Sequence, residues 1–440
     1  MKSKVKLGYY TVNKKIKFSN ELYKSVFKHL NFASIRFLCW LGVFYKVFST
    51  LEISEYALFG LIQSFANLSN IVFTLNIRTS MQRVYGKSIL AKYANQIYLA
   101  WIFFSCVIWG LIIFLIYSIP FIANIVEIYF GQITIISIYC YVVSDVVFQS
   151  ISSYLNAIRR ISLFGLHAFS YQFLLLISLI YFKNYDLQKL IILMSICNMI
   201  GIFFIIPIKD LLKRKSRRYA KLKWARKKII LSYILKYSRQ TLFAKFMKSI
   251  FDFTSRSLLL PVGNGVSLAR VNFSLTIFHV FRLLEQVVFK AVTPIFLKTG
   301  GFTNHSYRSL KKLIRIKSLI VLSFFLFSYL WKEVFFIIFP DKAINVFFEP
   351  LLILMAFQMV FSYWKNVYLI FCKTSILLLR NVFIYSTVSY GLGLLYILFF
   401  GINEITFGIV VAMIALINLL LIRYHRGGVS NSNYFLKMVR

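Results

Sequence analysis

Acidic residues are scarce in this chain of 440 residues: 13 aspartates and glutamates stand against 52 lysines and arginines, for a formal net charge of +39. Cysteine is also scarce, with five residues that all lie in apolar runs. An odd number of cysteines without metal-ligand spacing argues against a disulfide framework and against a zinc site. Most of the six prolines fall at the ends of apolar runs, where they are expected to end helices.

Several nucleotide and metal motifs are missing. The sequence contains no G-x-x-x-x-G-K-[ST] loop and no glycine-rich dinucleotide turn, and its five histidines are dispersed. No ATP or dinucleotide site of those kinds is therefore expected, and no cofactor is predicted. No loop is long enough for a soluble domain, and no signal peptide is evident, because the charged leader Met1–Lys28 is followed by a full-length apolar run without a cleavage motif.

The composition of the chain is strongly apolar. The chain is 59% hydrophobic and 15% charged, with a mean hydropathy of +0.74. Soluble domains are about 45–50% apolar and about 25% charged. Many runs reach the ~20 apolar residues that a helix needs to cross a bilayer. The composition therefore predicts an all-α integral membrane protein.

Twelve apolar runs are predicted to be membrane-spanning helices. They cover roughly 30–49, 55–77, 97–119, 131–155, 161–182, 187–208, 232–258, 266–292, 316–339, 346–371, 380–400 and 405–423. A basic connector, 209–228, divides them into an N-terminal lobe of six spans, 1–208, and a C-terminal lobe of six spans with a tail, 229–440. Two lobes of this kind are typical of transporters whose site lies between them.

Basic residues collect in alternate loops, as expected for loops on the cytoplasmic side. Both termini and the basic connector are therefore predicted to be cytoplasmic. The predicted inner segments are 78–96, 156–160, 209–228, 298–315, 372–380 and the tail after Arg423.

Two predicted spans carry charges at helical spacing. Lys245, Lys248, Asp252 and Arg256 follow one another at three or four residues and share one face of span seven. His279, Arg282, Gln286 and Lys290 do the same in span eight, with Glu285 placed to pair with Arg282.

These charges are costly inside a membrane. A charged side chain at the bilayer centre costs about 2.5–3.5 kcal/mol, so the four central ones, Lys248, Asp252, Arg282 and Glu285, would cost on the order of 10 kcal/mol against lipid. We therefore expect both faces to line a wet, central cationic cavity. Two alternatives stay open: a pair of non-spanning surface helices, and a structural salt-bridge network.

The N-terminal half contains fewer charged candidates. Arg36 lies inside span one, where it either faces the cavity or snorkels to the interface. Asp145 is the single acid well inside the first-half spans, and it is a candidate ion or proton site or else the partner of a cation such as Arg36.

Two stretches resemble a known family. The segment Asn31–Gly86 has an Arg/Ser-bearing first span, then EYALF at the turn into span two, and ends in a basic loop; Ala57 stands where the family often has glycine. FRLLEQVVFKAVTPIF, Phe281–Phe296, is similar to the family's eighth span running into a proline. Together with the twelve-span layout, these stretches resemble O-antigen-type polysaccharide flippases of the multidrug/oligosaccharidyl-lipid/polysaccharide exporter superfamily.

This resemblance implies a non-enzymatic transporter in the bacterial cytoplasmic (inner) membrane. It would flip an undecaprenyl-diphosphate-linked oligosaccharide from the inner to the outer leaflet, working beside the polysaccharide polymerase and chain-length machinery, with no nucleic acid partner. A cationic cavity suits an anionic diphosphate. The candidate cations for binding the substrate are Arg36, Arg78, Lys245, Lys248, Arg256, Arg270, Arg282 and Lys290. The ion-coupling candidates are Asp145, Asp252 and Glu285.

Two other functions are kept as alternatives. A cation or drug antiporter of the same superfamily would be expected to have an acidic cavity. A membrane polymerase or ligase acting on lipid-linked sugars usually needs a large outer loop, whereas the longest predicted outer loop, Pro340–Pro350, is short.

Overall fold

The structure is a computed structural model. It describes residues 31, 34–74, 100–112, 115, 118, 135–157, 161–205, 224–278, 304–326, 328–340, 342, 346–372 and 376–430. All the regular structure in these residues is helical, and no strand occurs among them.

The described residues form helices α1 to α13 in chain order. In the N-terminal half they are α1 (34–50), α2 (Ile53–Thr74), α3 (Ala100–Ile112), α4 (Ile135–Ala157), α5 (Ile161–Tyr181) and α6 (Leu187–Ile205). In the C-terminal half they are α7 (Trp224–Leu259), α8 (Val266–Phe278), α9 (Asn304–Leu326), α10 (Ser328–Ile338), α11 (Glu349–Cys372), α12 (Ile376–Phe400) and α13 (Glu404–Ser430). Each of the twelve predicted spans overlaps at least one of these helices, so the helical architecture is confirmed.

Several helices continue into the predicted inner segments. Helix α9 begins at Asn304, so most of the predicted inner loop 298–315 is helical. Helix α7 begins at Trp224, inside the predicted connector, and α13 continues past Arg423 to Ser430. In each case the hydropathy pattern ends where charged residues begin, whereas a helix continues through charged residues that are good helix formers.

Large apolar side chains are exposed around the bundle. Phe103 is 74% exposed, Phe399 80% and Ile337 83%. A soluble protein seldom exposes contiguous apolar surface on this scale, whereas a bilayer favours it. Two of the described helices are long and apolar enough to cross a membrane, over Ile135–Ser153 and Glu404–Leu421.

Helices of each half pack mainly on one another. In the N-terminal half, α4, α5 and α6 pack together, and α2 packs on α4. In the C-terminal half, α11 packs on α9 and α13, and α12 packs on α7 and α13. Helix α2 also packs on α7, which joins the two halves.

Aromatic rings close this junction at the end of the bundle that the loop charges predict to be outside. Phe48 of α1 contacts Phe273 of α8 and Phe339, with ring centroids 5.3 and 4.9 Å apart. Phe273 in turn contacts Phe335 of α10 at 5.2 Å. Phe48 and Phe273 are almost completely buried, so these rings form a dry plug between the halves.

Candidate functional site

A cavity of about 370 Å³ lies between the two halves of the bundle. Helices α1, α2, α4, α5 and α6 line one side, and α7, α8, α11, α12 and α13 line the other. Its volume falls in the range of small-ligand sites. Among the described residues, five charged side chains line it: Arg36, Asp145, Lys248, Asp252 and Arg256. These three cations and two carboxylates give the described part of the wall a net positive charge.

The charged face of α7 points into this cavity. Lys248, Asp252 and Arg256 all line it, as their four-residue spacing predicts. Lys245, which shares the same predicted face, is not among the lining residues. Three of the four charged residues that the sequence assigned to this face of α7 thus line the cavity.

Arg36 of α1 also lies in the cavity wall. Its Nε donates a hydrogen bond to Gln172 Oε1 of α5 at 3.2 Å, and both side chains line the cavity. Arg36 therefore lies in the cavity wall, and its role in binding the substrate stays a prediction. Gln172 holds the guanidinium without neutralising its charge, because an amide is uncharged.

Two amides hold the carboxylate of Asp145 on α4. Asn70 Nδ2 of α2 donates to Asp145 Oδ2, and Gln149 Nε2 donates to Asp145 Oδ1, both at 3.2 Å. Amide donors stabilise a carboxylate without neutralising its charge. The role of Asp145 as an ion-coupling residue stays a prediction.

Arg256 joins the two halves at the predicted outer end of the cavity. Its Nη1 donates to Gly60 O of α2 at 2.8 Å and to Asn272 Oδ1 of α8 at 3.2 Å. Asn272 Nδ2 donates to Ala57 O of α2 at 3.0 Å. This guanidinium therefore ties α2 to α7 and α8 as well as contributing charge to the cavity.

Gly60 permits this close approach. A Cβ atom added at Gly60 would overlap the side-chain amide of Asn272, which is buried and already bonded on both of its polar atoms. We expect Gly60→Ala to displace that amide and to lower the free energy of unfolding by about 1–3 kcal/mol, the cost of an unsatisfied buried polar group. Thermal unfolding of the purified protein in detergent measures the effect.

Gly391→Ala is the matched control for that substitution. Gly391 also lies within a helix, but an added Cβ would meet Met247 Cε at 3.5 Å, an ordinary contact. The control should therefore unfold near the wild-type temperature. Equal unfolding temperatures for the two variants would contradict the Asn272 argument.

A lysine closes the predicted outer end above the aromatic plug. Lys342 Nζ donates to three backbone carbonyls at the end of α1, Phe48 O at 3.0 Å, Ser49 O at 2.8 Å and Leu51 O at 2.6 Å. The last carbonyls of a helix lack intrahelical donors and carry partial negative charge, so they attract an ammonium group. Lys342 belongs to the C-terminal half, so this contact joins the halves.

Other predicted site residues lie elsewhere. Arg270 is not among the residues that line the cavity: its Nη1 forms an ion pair with Glu404 Oε1 at 2.7 Å, and its guanidinium lies over the ring of Phe348. The remaining candidates, Arg78, Arg282, Glu285 and Lys290, lie outside the described residues.

Sequence reasoning missed the uncharged polar lining. Amide and hydroxyl side chains outnumber the charged ones in the cavity wall, and single polar residues within apolar spans are the signal that would have found them. The amides are Gln63, Asn67, Gln149, Gln172, Asn272 and Gln358, and the hydroxyls are Tyr56, Tyr141, Tyr171, Thr276 and Tyr390.

Comparison with known proteins gives no sequence family. No family model and no curated protein matches the chain. Solved structures do match. A transporter of the MOP superfamily from Pyrococcus furiosus superposes with a TM-score of 0.64 at 14% identity, covering 94% of this chain and 96% of that one.

Two further solved structures match the chain. A mutant of the MATE transporter VcmN from Vibrio cholerae superposes with a TM-score of 0.60 at 14% identity, covering 94% of this chain and 100% of that one. The lipid II flippase MurJ, in an inward closed conformation, gives 0.57 at 14% identity, covering 94% of this chain and 87% of that one. The chain therefore has the helical membrane-transporter fold that MATE proteins and MurJ share.

Proposed function

We propose that this chain is a flippase that moves an undecaprenyl-diphosphate-linked oligosaccharide from the inner to the outer leaflet of the bacterial cytoplasmic membrane. The observation that carries the proposal is the cavity between the halves, where three cations lie among amide and hydroxyl side chains. Cations are suited to a diphosphate, and the amides and tyrosines to sugar hydroxyls. The MurJ-like fold supports a lipid-linked substrate.

Each charged group has a role in this proposal. Arg36 and Lys248 bind the diphosphate from opposite sides of the cavity. Arg256 binds it when the predicted outer end opens and its contacts to Gly60 and Asn272 are exchanged for the substrate. Three more cations remain candidates for binding the substrate: Arg78, Arg282 and Lys290. The acid Glu285 remains an ion-coupling candidate. The lipid tail stays in the bilayer, and both termini are placed in the cytoplasm.

A drug or cation antiporter is the second candidate. Asp145 and Asp252 line the cavity, and carboxylates are the groups that an organic cation needs. The fold supports this candidate equally, since several of the matching structures are MATE transporters. The third candidate, a polymerase or ligase, has no support from the matching solved structures, which are transporters.

Reconstitution into vesicles tests the proposal. Vesicles containing the protein and a fluorescent undecaprenyl-diphosphate-linked oligosaccharide are expected to move the lipid between leaflets, measured by quenching from outside, while uptake of an organic cation such as ethidium stays at the level of empty vesicles. The reverse result would favour the antiporter.

If Asp145 carries the coupling ion, Asp145→Asn should translocate at a rate that no longer responds to an imposed ion gradient.

A further inference from the structure

Helix α9 has one side against the protein and another facing outward. Ile314, Val321 and Phe325 are almost completely buried, and their spacing of seven and four residues places them on one side of the helix. Helix α9 packs on α11. Leu319 and Leu326, which are seven residues apart, are exposed on a different side. In a bilayer, an exposed apolar side of this kind lies against lipid chains.

Four basic residues occupy helix positions that continue this outward side toward the start of α9. They follow one another at i, i+3, i+4 and i+7, the spacing of one helix face: Arg308, Lys311, Lys312 and Arg315. Arg315 is exposed, and Leu319 follows it one turn later on the same side. The basic face and the lipid-facing side of α9 are therefore continuous.

The charge of this basic face has no acidic counterpart in its own helix. Helix α9 contains no aspartate or glutamate, and within the described part of the chain Arg315 forms no ion pair. Lys317 lies on the protein side instead: its Nζ is 5.7 Å from the ring centroid of Tyr363 on α11. Arg315 thus offers its charge to whatever surrounds the protein.

The change from basic to apolar residues marks where the membrane surface crosses α9. The basic face ends at Arg315, and exposed apolar side chains begin at Ile316. Residues 308–315 rise about 10 Å along the helix axis. The headgroup layer on each side of the hydrocarbon core is about 5–8 Å thick. The four basic positions therefore fall at the level of the lipid phosphates and of the water just beyond them.

We propose that the basic face of α9 is a docking surface for the headgroups of anionic phospholipids. The phosphodiester of the lipid accepts charge-assisted hydrogen bonds from lysine and arginine, while its acyl chains lie along the exposed apolar side that begins at Ile316. Free phosphate has no acyl chains and gains only the first of these contacts. No described residue of α9 lines the cavity, so this surface is separate from the transport site and does not depend on the substrate.

The test uses the full chain in neutral detergent, with phosphatidylglycerol added in mixed micelles and thermal unfolding as the readout. Phosphatidylglycerol should raise the unfolding temperature of the wild type more than phosphatidylcholine with the same acyl chains does, and high salt should reduce the difference. The double variant Lys312→Gln with Arg315→Gln should raise the half-saturating concentration of phosphatidylglycerol about tenfold or more, because each cation near an anionic surface contributes a factor of about five.

The double variant Lys183→Gln with Lys189→Gln is the matched control. It removes the same two charges from exposed positions, but these lie beside Asp186, which pairs with Lys189 at 3.5 Å. It should bind phosphatidylglycerol like the wild type. Arg315→Lys should also retain most of the binding, because it keeps the charge.

Two results would overturn the docking surface. The first is an equal half-saturating concentration of phosphatidylglycerol for the wild type and for the α9 double variant. The second is an equal rise in the unfolding temperature when inorganic phosphate replaces the lipid at the same concentration, which would make the face a general anion site. Should the double variant fail to fold, Arg315→Gln alone, at an exposed position, gives the same comparison with an expected change of about fivefold.

Discussion

Replacing Lys248 with alanine is expected to lower the rate of lipid translocation roughly tenfold or more. Lys248 lies on the cavity face of α7, where the proposed substrate would carry its diphosphate between leaflets. A hydrogen bond to a charged group is worth about 1.5–3 kcal/mol, and each 1.4 kcal/mol corresponds to a factor of ten. Initial rates in vesicles, at matched protein content, measure the loss.

Two further variants make that result specific. Lys248→Arg should recover part of the rate, because it keeps the charge but changes the geometry of its donors. Lys189→Ala should be neutral, because Lys189 is exposed and forms a surface ion pair with Asp186. Full activity of Lys248→Ala, with insertion and folding at wild-type levels, would show that the charges of α7 are structural.

The sequence predicts the scaffold well because membrane helices are specified locally. Apolar runs of about 20 residues and basic alternate loops are properties of short segments. The charged face of α7 is equally local: the spacing of Lys248, Asp252 and Arg256 places them on one side of the helix, wherever that helix packs.

The contacts of the site depend on tertiary structure and could not be predicted in the same way. Arg270 is predicted as a substrate cation, and its ion pair with Glu404, 134 residues later, could not be seen in the spacing of the sequence. The amide of Asn70 meets Asp145 only because α2 packs on α4, whereas Gln149 lies one turn after Asp145 on the same helix.

The end of the bundle predicted to be outside is also closed by a contact between residues far apart in sequence. Lys342 bonds to carbonyls of α1 that are 291 to 294 residues away in sequence, and the plug of Phe48, Phe273 and Phe339 lies beside it. In the proposed alternating-access cycle, this end opens. The three hydrogen bonds of Lys342 must then break, and the plug must separate.

Lys342→Gln is therefore expected to favour the state in which this end is open. The variant removes the charge that the α1 carbonyls attract, at a cost to the closed state of about 1.5–3 kcal/mol, which raises the ratio of open to closed molecules roughly ten- to a hundredfold. Hydrogen–deuterium exchange measures this as faster exchange over residues 47–59, at the end of α1 and the start of α2. Lys342→Arg, which keeps the charge, and Lys332→Gln, whose ion pair lies within the C-terminal half, should exchange like the wild type. Unchanged exchange in Lys342→Gln would mean that the aromatic plug holds this end closed without Lys342. The three hydrogen bonds to carbonyls would then serve only to cap the C-terminal end of α1.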